Sequence, residues 1–242
     1  MKIKILLCLV FVVAFSSFTF TQTVKITPKK TVYKRKNPEA ADYKRSFTIT
    51  YPKISGVSAA LIKKIEANLS FEKAFEFSLK DEISTDYGLD SADFTVLYNK
   101  FGILNVELSE DVSGAYPSTI NKSIVIDTKT GERVKAADIF VKLPELAAKV
   151  KKSQAAEIKK GISLMKKESP DIENPAEYFS NTGYTVENLD DFSVSDKGIT
   201  FRYDYEFAHV MLALQPDGRF FYSWAQLKPF IKRGGLLARF NR

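Results

Sequence analysis

The stretch GAYPSTINKSIVIDTKTGERVKAADIF, from Gly114 to Phe140, connects the two halves of the chain. Alternating isoleucines in its middle predict a strand, and residues 127–131 predict a turn in which Gly131 takes a positive φ at no steric cost. Tyr116 precedes a proline, which holds it extended and leaves few neighbours to bury it. The stretch therefore predicts a corner between sheet regions, with Tyr116 as its one exposed contact.

On either side of this corner, strand and helix patterns occur in blocks. Helical spacing between Val57 and Ile83 predicts two short helices or one kinked helix, and the same spacing predicts a long helix over 144–167. Strands are predicted at 46–51 (ended by Pro52), 94–98, 103–108, 189–194, 199–205, 210–214 and 219–222. Residues Asn99 to Gly102 predict a hairpin turn between the second and third of these strands. This order favours an α+β fold of two fused subdomains, with mostly antiparallel sheets each packed against helices.

The first 21 residues have the pattern of a secretory signal peptide. Lys2 and Lys4 precede an apolar run that starts at Ile5, and small polar residues follow it. The run reaches 16 residues at Phe20, whereas a spanning helix needs about 20, so an uncleaved anchor is the lesser alternative. The only cysteine, Cys8, lies inside the run. A secreted or periplasmic chain, not membrane-spanning after cleavage, is expected.

The composition indicates a folded protein with a moderate positive charge. Aromatic residues make up 13% and charged residues 27% of the chain, and the formal net charge is +7. Removal of the two lysines of the signal peptide leaves a net charge of +5. This charge suits contact with an anionic surface through basic residues, and no nucleic-acid partner is predicted. The basic segment 24–45 is predicted to be a solvated edge strand. The tail 232–242 is predicted to be either a docking segment or a last strand of the sheet.

Several short motifs resemble one known group of extracytoplasmic domains. They are GAYP at 114–117, IVIDTKTGE at 124–132, DIF at 138–140, DKGITF at 196–201 and SWAQLKPF at 223–230. Together they resemble the domain pair of the lysozyme-sensing anti-sigma factor RsiV and of the non-catalytic part of the peptidoglycan deacetylase PdaC. The resemblance implies a PdaC N-terminal-like α+β domain over 22–123 and an RsiV C-terminal-like α+β domain with a basic tail over 124–242.

The chain also departs from these relatives. Only Met1 to Lys4 precede the apolar run, so no segment is expected that would hold a sigma factor. The single histidine, His209, contrasts with the several histidines of a metal-dependent deacetylase domain. Tyr116 stands where the family's turn often has histidine. The resemblance therefore implies recognition in place of catalysis.

Aromatic side chains beside predicted turns are the main candidates for ligand binding. Tyrosine and tryptophan combine a flat apolar ring with a polar group, which suits contacts with glycans or protein partners. The candidates are Tyr116, Tyr203, Tyr205 and Trp224.

An alternative metal or catalytic set is Asp204, Glu206 and His209. Glu206 and His209 are three residues apart and would share a face if the segment were helical; in a strand, His209 would face away from both acids. A transition metal needs three or four protein ligands, and the sequence holds no complete set, so no metal, cofactor or catalytic residue is predicted. The prediction is an exported, non-catalytic binding module of the cell envelope that recognises a protein or a peptidoglycan-like glycan. The alternative is an envelope hydrolase that uses carboxylates or a metal near His209.

Overall fold

The structure is a computed structural model that describes residues 24–36, 45–84, 88–113 and 116–241. The predicted signal peptide, residues 1–21, and the first two residues of the Gly114–Pro117 turn lie outside the described residues. Among the helices of the described ranges, none is long and apolar enough to cross a membrane.

The first half of the chain forms a five-stranded sheet. Its strands, in spatial order, are β1 (Lys25–Lys34), β2 (Ser46–Ser55), β3 (Leu89–Lys100), β4 (Ile103–Ser113) and β5 (Pro117–Asp127). All neighbours are antiparallel except β2 and β3, which are parallel and pair only through Thr48 and Ile49. The predicted turn after β3 is confirmed, because Phe101 and Gly102 both have positive φ, as a two-residue hairpin requires.

Two details of this half differ from the predictions. Pro52 does not end β2, which continues to Ser55. Pro52 lies opposite Pro28 of β1, beyond the short pairing with β3, so its missing N–H leaves no unmatched acceptor on β3. Where two short helices or one kinked helix were predicted, the chain forms three helices: α1 (Ala59–Asn68), α2 (Phe71–Phe75) and α3 (Leu79–Ser84).

Local capping explains the extra helix break. The hydroxyl of Ser70 accepts a hydrogen bond from the backbone N–H of Lys73 and starts α2. Glu76 takes a left-handed conformation with φ 58° directly after α2 and ends it. Ile65, Leu69 and Phe71 are buried in one core with the inner side chains of the sheet. The helices therefore cover one face of the five-stranded sheet.

The second half contains a smaller sheet and a long helix. The sheet is antiparallel, with β6 (Phe192–Val194), β7 (Gly198–Arg202) and β8 (Arg219–Ser223) in that order. The other elements are α4 (Ala136–Ile139), α5 (Leu143–Glu168), α6 (Trp224–Leu227) and 3₁₀ helices at Pro175–Phe179, Glu187–Asp190, His209–Leu214, Lys228–Phe230 and Ala238–Asn241. The predicted long helix is confirmed as α5, which buries Leu146, Val150 and Met165.

The predicted strand at 210–214 is wrong, because residues His209–Leu214 form a 3₁₀ helix. The five residues of β8 pair one to one with β7, and β7 ends at Arg202, three residues earlier than predicted. The chain between them leaves the sheet, and the side chain of Gln215 accepts a hydrogen bond from the N–H of Phe207 across the resulting loop. An apolar run that resembles a buried strand is therefore a surface segment.

The two halves are joined through the face of the first sheet opposite α1. Tyr98, Ile103 and Val125 of that sheet belong to the core of the second half. Asn105 of β4 donates to the hydroxyl of Ser123, and its carbonyl accepts from the N–H of Val194 in β6, both at 2.8 Å. The division predicted between residues 123 and 124 lies inside β5, whose residues 124–127 complete the first sheet. The division into two domains stays a prediction.

Candidate functional site

A cavity of about 430 Å³ opens at the surface of the second half. Two segments far apart in sequence form most of its wall: the residues at the end of the Pro175–Phe179 helix and the residues that follow β7. Its lining consists of Glu177, Tyr178, Ser180, Asn181, Thr182, Asn188, Tyr203, Asp204, Tyr205 and Glu206. All four residues of the predicted cluster at 203–206 thus share one concave surface with residues that the sequence patterns did not indicate.

The wall after β7 is shaped by one close backbone approach and one turn. The N–H of Tyr203 donates to the carbonyl of Gly218 at 2.9 Å. A Cβ on Gly218 would lie only 1.9 Å from the carbonyl oxygen of Tyr203, and Gly218 has φ +63°, so only glycine fits here. The carboxylate of Asp204 then accepts from the N–H of Glu206, which has φ 54°. This turn carries the chain out of the sheet and along the rim of the cavity.

Tyr205 forms part of the wall as a buried residue. Its hydroxyl donates to the carboxylate of Glu157 at 2.7 Å, and the other oxygen of that carboxylate accepts from the N–H of Gly218 at 3.2 Å. Burial, reinforced by the hydrogen bond to Glu157, raises the pKa of the Tyr205 phenol above its ordinary range. Tyr205 therefore ties α5 to the loop, and its hydroxyl is already engaged within the protein.

Tyr178 and Tyr203 present the more accessible rings of the lining. Tyr203 is half-buried, and its hydroxyl accepts from the N–H of Gly183 at 3.2 Å. Tyr178 is exposed and packs against Phe207, with the ring centroids 5.6 Å apart. Sequence reasoning missed Tyr178, although a short helix that buries Phe179 must turn its neighbour Tyr178 to another face. The cavity thus combines aromatic rings with amide, hydroxyl and carboxylate groups.

Three carboxylates lie on this surface, and none of the described lining residues is lysine or arginine. Glu177 accepts a hydrogen bond from the amide of Asn174 at 2.8 Å, and Asn188 accepts from the N–H of Thr185 at 2.7 Å. These contacts hold the polar side chains in place from outside the cavity. The lining can therefore accept hydrogen bonds from a hydroxyl-rich ligand without rearranging its backbone.

The alternative metal set is not brought together. Asp204 and Glu206 line the cavity, but His209 does not. Glu206 lies in the turn, and the 3₁₀ helix begins only at His209, so the two side chains do not share a helix face as the spacing allowed. In the described residues, no group of three or more histidine, cysteine, aspartate or glutamate side chains is placed to hold a metal ion.

His209 instead contacts Tyr116. Their rings stack with centroids 4.5 Å apart and an interplanar angle of 17°, and Nε2 of His209 lies 3.3 Å from the carbonyl oxygen of Pro117. Tyr116 is 57% exposed, as its position before a proline predicted. It lies outside the lining of the cavity, so the predicted aromatic candidates do not form one site.

Trp224 is held by the C-terminal tail. Its ring stacks on Phe240 at 3.9 Å, and its Nε1 donates to the carbonyl of Asp196 at 3.0 Å. Leu237 of the tail is buried, and the Arg239 guanidinium lies over the ring of Phe101 at 4.4 Å. The described part of the tail packs on its own protein and ends in a 3₁₀ helix, so it is not a last strand.

The fold and the site define a class of α+β protein. It has a five-stranded sheet, a three-stranded sheet and a cavity lined by polar and aromatic residues. No protein-family model matches the chain, and no curated protein matches it. A DUF3298 family protein of Bacteroides fragilis is similar in structure, with 12% identity, a TM-score of 0.51 and coverage of 90% of this chain and 96% of that chain. A DUF3298 family protein of Pseudomonas aeruginosa has 14% identity, a TM-score of 0.48 and coverage of 88% and 95%.

The similarity to the Bacteroides protein concerns the fold. It extends over nine tenths of the chain, so both halves take part in it. The predicted α+β class is confirmed. At 12% identity, the fold alone is shared between the two chains, and function has to be argued from the site.

Proposed function

We propose that the protein is an exported binding module of the cell envelope that recognises a peptidoglycan-like glycan through the cavity at Tyr178 and Tyr203. The cavity is the single observation that carries the proposal. Its volume of about 430 Å³ falls in the range of about 300–1,000 Å³ that is common for small-molecule sites. A protein ligand, which the sequence left open, is the competing outcome of the experiment below.

The lining chemistry fits a sugar. The C–H faces of a pyranose are apolar and pack on tyrosine rings, while its hydroxyl groups donate to carboxylates and exchange hydrogen bonds with amides. The exposed ring of Tyr178 supplies the flat surface, and Asp204, Glu206 and Asn181 supply polar groups around it. The site requires no metal or cofactor for this role.

Two further observations support the cellular setting. The pattern of residues 1–21 is that of an export signal, which supports a secreted or periplasmic location for the mature chain. The motifs quoted above and the α+β organisation support a relation to the extracytoplasmic domains of RsiV and PdaC. In this proposal those domains and the present chain share a recognition role at the envelope.

The test is isothermal titration calorimetry, in which soluble peptidoglycan fragments are added to the chain from residue 22 onward. Tyr178→Ala should weaken binding about tenfold, because it removes an aromatic contact worth about 0.5–1.5 kcal/mol beyond its buried area. Tyr116→Ala is the matched control, since it removes an exposed tyrosine outside the cavity. Absence of binding to any envelope glycan, or equal losses in both variants, would contradict the proposal, and retention by an envelope protein alone would favour a protein ligand.

A carboxylate-dependent hydrolase is the second candidate, because Asp204 and Glu206 line the same cavity. Product release from peptidoglycan by the wild type, abolished by Asp204→Asn or Glu206→Gln, would support it. His209→Ala should leave such activity unchanged, since His209 is outside the lining. Intact substrate after prolonged incubation with a protein that binds it would leave recognition as the function.

A further inference from the structure

The 3₁₀ helix His209–Leu214 exposes apolar side chains to solvent. The ten residues from Phe207 to Pro216 include no aspartate, glutamate, lysine or arginine, although charged residues are 27% of the whole chain. Val210 is 75% exposed and Leu212 is 41% exposed. Exposed apolar residues that occur together, without charges between them, are characteristic of interaction surfaces.

This surface continues beyond the helix on both sides. Tyr116 stacks on His209 at one end. At the other end Leu164 of α5, which is 46% exposed, lines a shallow groove of about 340 Å³ together with Ala213 and Leu214. We call the exposed side chains of Tyr116, Val210, Leu212, Ala213 and Leu164 the apolar ridge.

The ridge is fixed by packing beneath it. Met211 and Leu214 are partly buried against a core that contains Met165, Phe179 and Phe207. A 3₁₀ helix has three residues per turn, so burial of Met211 and Leu214 leaves Val210 pointing away from the protein. Val210 therefore does not gain burial by a small side-chain rotation, and its exposure is a property of the fold.

Lysines of α5 flank the ridge. Lys160 and Lys167 lie four residues before and three residues after Leu164, which places all three on one stripe of the helix, and Lys160 also lines the groove. Four acids lie close to this surface along the chain. The carboxylate of Glu157 is engaged by Tyr205 and Gly218, and Glu168 lies 3.3 Å from the ammonium of Lys167. Asp217 lies 3.4 Å from the guanidinium of Arg219, and Glu206 precedes the charge-free run. Across 143–168 the helix has seven lysines and three glutamates, so its field is positive.

We propose that the apolar ridge docks the protein on an anionic lipid surface. A protruding apolar residue next to exposed lysines matches a bilayer interface, in which apolar side chains enter the boundary between headgroups and acyl chains while lysines remain near phosphates. Val210 and Leu212 enter that boundary, and Lys160 and Lys167 face the headgroups. Val210 is 75% exposed and does not line the neighbouring groove, so it is placed to enter a lipid surface and not to form the wall of a groove for a peptide helix.

The test is co-sedimentation with phosphatidylcholine vesicles that contain or lack phosphatidylglycerol, using the chain from residue 22 onward, which includes every described residue. Binding should require phosphatidylglycerol. Val210→Asp should lower it at least tenfold, because the apolar contact is lost and a negative charge faces the lipid. Val32→Asp is the matched control: Val32 is 60% exposed in β1, and the substitution changes the net charge equally, but it should have at most a small effect.

A second variant tests the charge contribution. Lys160→Glu should reduce vesicle binding at least fivefold, as expected for about 1 kcal/mol per basic residue near an anionic surface, and added salt should have a similar effect on the wild type. Equal binding to both kinds of vesicle, or equal effects of Val210→Asp and Val32→Asp, would overturn the proposal. So would a concentration-dependent dimer that Val210→Asp abolishes, because a second copy would then cover the ridge. None of these outcomes depends on glycan binding in the cavity.

Discussion

The two sheets of this protein differ in length and in what they support. Strands of the first sheet have 10 to 12 residues, whereas those of the second have 3 to 5. The long strands hold a continuous core under α1. The short strands leave residues 203–218 between β7 and β8 outside the sheet, and this segment supplies both one wall of the cavity and most of the apolar ridge. A scaffold of regular structure thus carries surface segments that are free to bind.

The same contrast appears in the charged groups. In the first half, the guanidinium of Arg35 is fully buried and pairs with the carboxylate of Glu82 at 2.9 Å. It also donates to the carbonyl of Leu89 at 2.6 Å and lies over the ring of Phe47. In the second half, Asp204 and Glu206 are exposed on the cavity rim. The Arg35–Glu82 pair is therefore structural, whereas the carboxylates of Asp204 and Glu206 are open to solvent.

The largest effect is expected when this buried pair is broken. Arg35→Met leaves the carboxylate of Glu82 buried without its cation, which should lower the free energy of unfolding by about 3–5 kcal/mol in a urea titration. The double variant Arg35→Met/Glu82→Leu should recover a large part of the loss, because it removes the charge as well. A single variant as stable as the wild type would mean that the first half does not depend on the pair.

Loss of the Asn105 hydrogen bonds that join the two halves should have the next largest effect on stability. Asn105→Ala removes the acceptor for the N–H of Val194 and the donor to Ser123 inside a fully buried site, at a cost of about 2 kcal/mol in the free energy of unfolding. Asn121→Ala, at an exposed position of β5, should change it by no more than about 0.5 kcal/mol. Similar effects of the two substitutions would show that the contacts of Asn105 between the halves contribute little to stability.

Glu110 of the first sheet should make the stability of the protein depend on pH. Burial raises the pKa of Glu110 from 4.5 to about 7; nearby Lys122 opposes this shift and Glu82 adds to it. Since the folded state favours the protonated form, this contribution to stability is complete below about pH 4.5 and is lost as the pH rises through about 7. Glu110→Gln, which stays neutral, should therefore gain stability relative to the wild type as the pH rises from 5 to 8, by about 1 kcal/mol once solvent screening of this carboxylate reduces the full effect of the pKa shift.

Urea titrations at a series of pH values measure this difference. Glu206→Gln in the cavity is the control, because it makes the same chemical change at an exposed position. If the free energies of unfolding of Glu110→Gln and the wild type differed by the same amount at every pH, the pH dependence could not be assigned to Glu110.

The smallest effect on stability is expected at the ridge. Val210→Ala should change the free energy of unfolding by at most about 0.5 kcal/mol, because the side chain is mostly solvated. Val106→Ala removes the same two methyl groups from a fully buried position of β4 and should cost about 2 kcal/mol. A large loss at Val210 would show that the ridge has a packing role, and would weaken the case for its use as a docking surface.

Much of the fold could be predicted because its signals are local. The helical spacing of apolar residues predicted α5, and the Asn99–Gly102 segment predicted the hairpin between β3 and β4. Local signals failed where a long-range contact decided the outcome. The run VMLAL at 210–214 has the composition of a buried strand, but β8 pairs with β7 along its full length, so the run does not pair there and forms a 3₁₀ helix.

The candidate site was only partly predictable for the same reason. Tyr203, Asp204, Tyr205 and Glu206 were selected from their sequence cluster, and all four line the cavity. Tyr178 was not, because it is 25 residues from Tyr203 and reaches the cavity only through the packing of Phe179 against Tyr205 and Phe207. His209, which the sequence placed beside these acids, stacks on Tyr116 of the first half.

The sequence by itself determined the α+β class, the long helix and the tight turns, since hydrophobic periodicity and backbone preferences act over a few residues. Tertiary structure decided which side chains share a surface: Tyr178 with Asp204 in the cavity, and Val210 with Leu164 on the ridge. Such neighbours depend on how the short second sheet packs against α5. Packing between distant segments is set by the shapes of whole elements, which no local pattern encodes.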